Sequence, residues 1–175
     1  VQSLGDRFPL TESQYQTVLP NDSLAAAGTE GRLYLADYAE LSSAKGGTFP
    51  LNLQKYVSAP LALFAVPKGG TSLTPIAIQC GQEPGSTNPI FLCQKDEEPN
   101  WMLAKTVVEI ADANYHEAIS HLGRCHMFME PFAIATPRQL AANHPVFILL
   151  KPHFQTTLAI NDAAQSRLIA PGGVV

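Results

Sequence analysis

His116-Glu-Ala-Ile-Ser-His121-Leu-Gly-Arg-Cys-His126 sets three imidazoles at intervals of five. With His144 and His153 they make up all five histidines of the 175-residue chain, and none precedes position 116. A clustered, evenly spaced set of imidazoles points to a metal site. In an α-helix, at about 100° per residue, a step of five turns a side chain roughly 140° away from its predecessor, so two such histidines cannot meet at one ion. Helical metal pairs use steps of three or four, as in HExxH, and His121 follows His116-Glu117 one residue too late for that motif. A π-helix, with about 4.4 residues per turn, brings the same step back to within roughly 50°. If consecutive histidines share an ion, the spacing therefore predicts a π-segment. Spacing alone leaves two readings open: metal ligands, or polar groups satisfied at the surface or within the fold. Glu117, four residues before His121, and Asp112 are the carboxylates that could hold a ligand's second ring nitrogen or simply remain solvated.

Outward from this stretch, apolar and polar residues recur at helical spacing from Trp101 to about Met129, and Pro131 is expected to end that helix. Thr136-Pro137-Arg138-Gln139 combines an N-cap Thr, a Pro at the first helical position and a Gln at the capping-box position, which predicts a short helix starting there. Asn143-His144-Pro145 resets the chain, Pro145 opens another short helix, and Pro152 is expected to end it. A last helix is expected from about Phe154 to Ile169, broken by Ala170-Pro171-Gly172-Gly173. Before Pro99 the texture is different, with short apolar runs between Pro, Gly, Ser and Thr. Leu10 to Leu19 reads as a short helix capped by Thr11 and closed by Pro20. Arg32–Tyr38, Leu61–Val66 and Leu73–Cys80 read as strands, the last two joined by a hairpin turn at Pro67–Thr71, and Ile90–Cys93 as a fourth. The expected fold class is mainly α with a small antiparallel β-sheet.

Composition excludes several classes of function. One compact domain is the default at this length. The net charge of −4 and the lack of any Lys/Arg cluster argue against a nucleic-acid partner, whose phosphates need a basic footprint. Cys80, Cys93 and Cys125 are odd in number and form no CxxC pair, so neither a disulfide framework nor a cysteine zinc site is supported. No charged-then-apolar leader and no apolar run near the roughly 20 residues of a membrane span is present. A soluble, cytoplasmic protein is the expectation.

The histidine pattern, together with Trp101-Met-Leu-Ala-Lys105, Asp112, Glu130-Pro131-Phe132, Ile134-Ala135-Thr136, His144-Pro145, Pro152-His153 and Ile160-Asn161, resembles the signature of the lipoxygenases. Arg32–Tyr38 and Leu73–Ile78 resemble the strands that precede it, so the resemblance covers most of the chain. It implies that His121 and His126 bind a non-haem iron on a long central helix containing a π-segment. His116, Glu117, His144 and His153 take structural or supporting positions around the metal. Leu168 matches a leucine that packs against the reacting pentadiene of the substrate. Ala164 matches the small residue that helps decide which face of the substrate meets oxygen; an alanine there usually accompanies S products. The implied chemistry is peroxidation of a polyunsaturated fatty acid with a cis,cis-1,4-pentadiene, such as linoleate: hydrogen is removed from the central methylene and O2 adds to the opposite face. An apolar channel is expected for it.

In this family a further histidine, usually an asparagine, and a terminal carboxylate complete the iron site from a later segment, and no match to that segment precedes Val175. The expectation is therefore a partial catalytic domain of a compact bacterial type. Residues 1–99 form its strand- and loop-rich part and residues 100–175 its helical iron-site part, with the remaining C-terminal segment as the partner that supplies the other ligands. Iron is the expected metal, with manganese the lesser alternative. Weak association with membrane surfaces is compatible with such a substrate, though no amphipathic basic helix provides an anchor. The rival from another class is a metal-free fragment or lipid-binding domain that keeps the fold without the chemistry.

Overall fold

Thr11 opens the first helix, α1 (Glu12–Val18), through a reciprocal capping box. Its hydroxyl accepts from Gln14 N at 3.2 Å, and Gln14 Oε1 accepts from Thr11 N at 2.9 Å. A second helix, α2 (Leu24–Thr29), is too short to show a period and escapes the sequence reading. Ser23 caps it, and the Glu12 carboxylate on α1 accepts from Leu24 N and Ala25 N. The computed structural model describes residues 1–48, 53–93 and 99–171. The expected terminal break at Gly172-Gly173 and the carboxylate of Val175 lie outside them.

The four anticipated strands form one antiparallel sheet in sequential order: β1 (Leu33–Asp37), β2 (Leu61–Ala65), β3 (Thr74–Gln79) and β4 (Ile90–Leu92). β2 is central and almost wholly buried, which explains its unbroken apolar run. On one face, Phe8, Tyr15 and Ala27 pack on Leu33, Leu61, Leu63 and Ile76. On the other, Ala62 and Ile78 meet Trp101 and Ala104 of the next helix, α3 (Pro99–Asn114). A register shift between Leu63 and Phe64 sets Phe64 opposite Pro75, so the proline falls at an irregularity of the ladder. An ion pair ties this layer together. Arg32 donates to both Asp22 carboxylate oxygens at 2.6 and 2.8 Å and to Val66 O at 2.7 Å, while Asp22 also accepts from Ser23 N and Lys68 N.

By contact density the chain divides into two units, Val1–Lys45 with Val57–Ala113, and the described residues of Gly46–Tyr56 with Asn114–Val175. The backbone of α3 passes through Asn114 (φ −66°, ψ −41°) directly into a π-helical segment, Tyr115–Met127. Phe128 and Met129 keep helical dihedrals, and α4 (Glu130–Gln139) completes 41 residues of continuous helical backbone.

Two expectations here are overturned. Pro131 does not stop the helix. It sits in the first turn of α4, just after the backbone passes from the π to the α register, and the helical run continues past its missing N–H. Thr136-Pro137 does not start one. The Thr136 hydroxyl donates backward to Phe132 O at 2.7 Å, and Pro137 lies inside α4, which ends two residues later. Pro145 does open α5 (Pro145–Leu150). Pro152 then lies within a 3-10 turn, Lys151–Phe154, that continues from α5. The last helix starts later than expected, as α6 (Thr157–Ala164), because Thr156 adopts φ 66° and breaks the run. It ends in a second π turn, Gln165–Ile169, that periodicity does not anticipate. Among the described residues no helix is long and apolar enough to cross a membrane.

Candidate metal centre

The π register does what the step of five requires. Over Tyr115–Met127 the backbone bonds five residues back, as in Phe128 N to Gly123 O at 2.9 Å, so His116, His121 and His126 stack along one face. The rings of His116 and His121 lie 5.9 Å apart and 18° from parallel. Those of His121 and His126 lie 4.8 Å apart, edge to face. The Nε2 atoms of His121 and His126 are 3.1 Å from one another.

The other ring nitrogen of each is engaged. His121 Nδ1 is 3.2 Å from Glu117 Oε2, and His126 Nδ1 is 3.0 Å from Asn161 Oδ1 on α6. An ionised carboxylate only accepts, so the proton of His121 belongs on Nδ1. Asn161 is fully buried, and its amide donates to His126 O at 3.1 Å and to Glu130 Oε2 at 2.8 Å. Both are acceptors, which turns the amide oxygen toward His126 Nδ1. With a proton on Nδ1 of each ring, the two Nε2 lone pairs face each other across 3.1 Å and are free for one shared cation. Two nitrogen donors about 2.1 Å from a common ion and at right angles to each other stand about 3.0 Å apart. At 3.1 Å both nitrogens can therefore reach one ion, and imidazole suits zinc, copper, nickel and iron alike.

His116 and Glu117 form an overlapping group with His121. One donor atom from each of the three lies within 4.8 Å of the others, all exposed, and His116 Nε2 is 3.7 Å from Glu117 Oε1. His121 is common to both groups. Of the two carboxylates singled out by position, Glu117 therefore sits among the histidines. Asp112 instead accepts a hydrogen bond from the Tyr38 hydroxyl at 2.8 Å. His144 and His153 are not gathered in. His144 is the N-cap of α5, its Nδ1 accepting from Val146 N at 3.2 Å, and His153 is exposed in the 3-10 turn after α5.

A cavity of about 450 Å³ adjoins the histidines. Glu117, His121 and His126 line it from one side, and Ile160, Ala164 and Leu168 from the other. The two substrate-side candidates, Ala164 and Leu168, thus line the same cavity as the imidazole pair and face it. Asn161 and Glu130 are the residues that sequence reasoning did not place at the site. The available signal was a polar residue on the face that Ala164 and Leu168 share, at positions i, i+3 and i+7 of one helix.

A family model described as lipoxygenase matches residues 9–175. The linoleate 9/13-lipoxygenase of Pseudomonas aeruginosa is 43% identical over 183 residues, which cover 100% of this chain and 27% of that protein. The polyunsaturated fatty acid lipoxygenase ALOX15B of Rattus norvegicus is 44% identical over 173 residues, covering 98% of this chain and 25% of that protein. The solved structure of a calcium-dependent 11R-lipoxygenase superposes with a TM-score of 0.88 at 36% identity, over 99% of this chain and 25% of that one. The chain spans about a quarter of the length of the relatives it matches. Matched from Pro9 onward in sequence and nearly throughout in backbone, this chain belongs to the lipoxygenase family.

Proposed function

We propose that this chain is the iron-bearing part of a lipoxygenase catalytic domain, residues 1–99 forming its strand-rich scaffold and residues 100–175 its metal-site helices. The protein that carries it inserts O2 into polyunsaturated fatty acids with a cis,cis-1,4-pentadiene, such as linoleate, to give hydroperoxides. One observation carries the reading: His121 Nε2 and His126 Nε2 converge to 3.1 Å with both Nδ1 atoms committed elsewhere, beside an apolar cavity. In it His121 and His126 hold a non-haem iron, manganese being the lesser alternative. When bound, the metal supplies the one-electron chemistry that removes hydrogen from the central methylene of the pentadiene. Glu117 and Asn161 orient the two imidazoles. Leu168 packs against the pentadiene, and the small side chain of Ala164 leaves room for dioxygen on one face. His116 supports His121 by stacking, and His144 and His153 act by shaping the chain around α5. Two imidazoles leave most of a coordination sphere open, and this reading assigns the rest to the C-terminal part of the lipoxygenase domain.

The test is metal content per mole together with dioxygen uptake on linoleate, made on the polypeptide that carries this segment and the rest of the domain. Near-stoichiometric iron and uptake are expected, both lost in His121→Ala and His126→Ala. A protein that holds no transition metal and consumes no oxygen would instead be a metal-free lipid-binding relative.

A further inference from the structure

Asn161 is buried completely, yet none of its polar atoms is left over: the amide oxygen faces His126 Nδ1, and the amide nitrogen serves His126 O and Glu130 Oε2. A buried carboxamide could in principle present either end to an imidazole. Presenting NH2 would force the opposite tautomer, with the lone pair on Nδ1 and the proton on Nε2. The Glu130 carboxylate at 2.8 Å removes that freedom, because a flipped amide would set oxygen against oxygen there and against His126 O. Glu130 lies four residues after His126 in the run of helical backbone, so the residue that orients the amide is carried by the element that carries the imidazole.

We propose that Asn161, oriented by Glu130, is a positioning residue that fixes His126 as the tautomer protonated on Nδ1 and thereby presents the Nε2 lone pair toward His121. The inference rests on the iron-site reading for its purpose, but its physical content, the tautomer, exists without metal. Removing a hydrogen-bond partner of a ligating histidine typically lowers metal affinity about 10- to 100-fold.

The experiment uses the full polypeptide that carries this segment, labelled with 15N-histidine and freed of metal. The ring-nitrogen resonances of His126 are assigned by their loss in His126→Gln. The parent is expected to show Nδ1 protonated and Nε2 bare. Asn161→Leu, similar in volume without an acceptor, is expected to mix the tautomers and to lower ferrous-iron retention against a chelator at least 10-fold. The exchange pair Asn161→Asp with Glu130→Gln keeps an acceptor facing Nδ1 and gives the second carboxylate oxygen a donor at position 130, while that oxygen meets His126 O where an amide donated before. It is expected to recover the tautomer and part of the iron retention. An unchanged tautomer in Asn161→Leu, or an exchange pair that folds with the parent's thermal midpoint and recovers neither readout, would overturn the proposal. If Asn161→Leu does not fold, the exchange pair decides. A parent that shows the Nδ1-protonated tautomer but takes up no iron would leave this inference standing and defeat the functional reading.

Discussion

His144 separates two kinds of histidine in this chain. Its Nδ1 accepts from Val146 N at the start of α5, so it works as a helix cap at a distance from the imidazole pair. His144→Ala should cost about 1 kcal/mol of stability, as loss of a cap does, and leave metal content unchanged. Thermal unfolding and metal analysis of the same sample check both halves. Asp22 is the other residue with a sharp expectation. Hydrogen bonds from Arg32 hold its carboxyl well below the usual carboxylate range, against the opposing effect of burial. Because the folded-state pKa is depressed, this pair contributes stability above about pH 4, the ordinary unfolded-state value. That contribution is lost as pH falls below it toward the folded-state pKa. Arg32→Leu should destabilise by about 3 kcal/mol at neutral pH, since it strands a buried carboxylate, and should flatten the acid limb of a plot of midpoint against pH. At the alkaline end the sign reverses. Burial, and then the Asp22 charge, pushes the Tyr15 hydroxyl up to about 12, so its share of stability is intact below about pH 10 and is lost between about pH 10 and 12. Ultraviolet difference titration should find it ionising late, and Tyr15→Phe should lose that alkaline limb.

At the scale of elements, the π segment is legible in the sequence and its neighbours less so. A step of five between ligand histidines is incompatible with α geometry, so the register change follows from the spacing of His116, His121 and His126 once two of them share an ion. Its thirteen-residue extent does not follow, because a single π turn would already satisfy the spacing of one pair. Pro131 and Thr136-Pro137 mislead because the same residues mark a helix boundary or tolerate a helix interior, according to which carbonyls and N–H groups the flanking register leaves free. Asn161 stands out in the sequence as part of a motif but not as a site residue, since its partner lies 35 residues earlier in the chain. The strands and the capping box at Thr11 are legible because their signals are local. Thr156 is not: nothing in the sequence forces a β-branched residue into the left-handed region, where it alone among the described non-glycine residues has positive φ. That strain precedes α6, the helix of Asn161 and Ala164, which runs on into the π turn that carries Leu168. Thr156→Asn, whose side chain tolerates the left-handed region, should raise stability by roughly 0.5–1 kcal/mol without altering metal content. A lower unfolding midpoint would mean that the threonine hydroxyl, 2.6 Å from Gln155 O, outweighs the strain.

For the molecule as a whole, burial is unevenly distributed, and the consequence is measurable. The sheet carries two clusters of buried residues, one around Tyr15, Leu63 and Ile76 and one around Trp101. From Asn114 onward the buried residues among those described are Ala133, Asn161 and Ala164, while Phe128, Phe132, Ile148 and Leu149 are each about half exposed or more. Burying a side chain of that size contributes roughly 1.5–3 kcal/mol, so the helices past the π segment draw little stability from their own contacts. Local opening should therefore be far easier there than in β2 and β3. In the 175-residue polypeptide, amide hydrogen exchange should be slowest in Leu61–Ala65 and Ile76–Gln79 and faster by orders of magnitude across α4, α5 and α6. In the longer polypeptide that includes the rest of a lipoxygenase domain, the same helices should gain protection while β2 and β3 change little. The histidine pair lies where these helices begin, so its order should follow theirs: His121 and His126 should hold iron measurably tighter in the longer polypeptide than in the 175-residue one. Equal exchange in α4–α6 and β2 within the short polypeptide would show that the helical unit is stable on its own contacts. In that case the half-exposed Phe128, Phe132, Ile148 and Leu149 would not need further sequence to order the site.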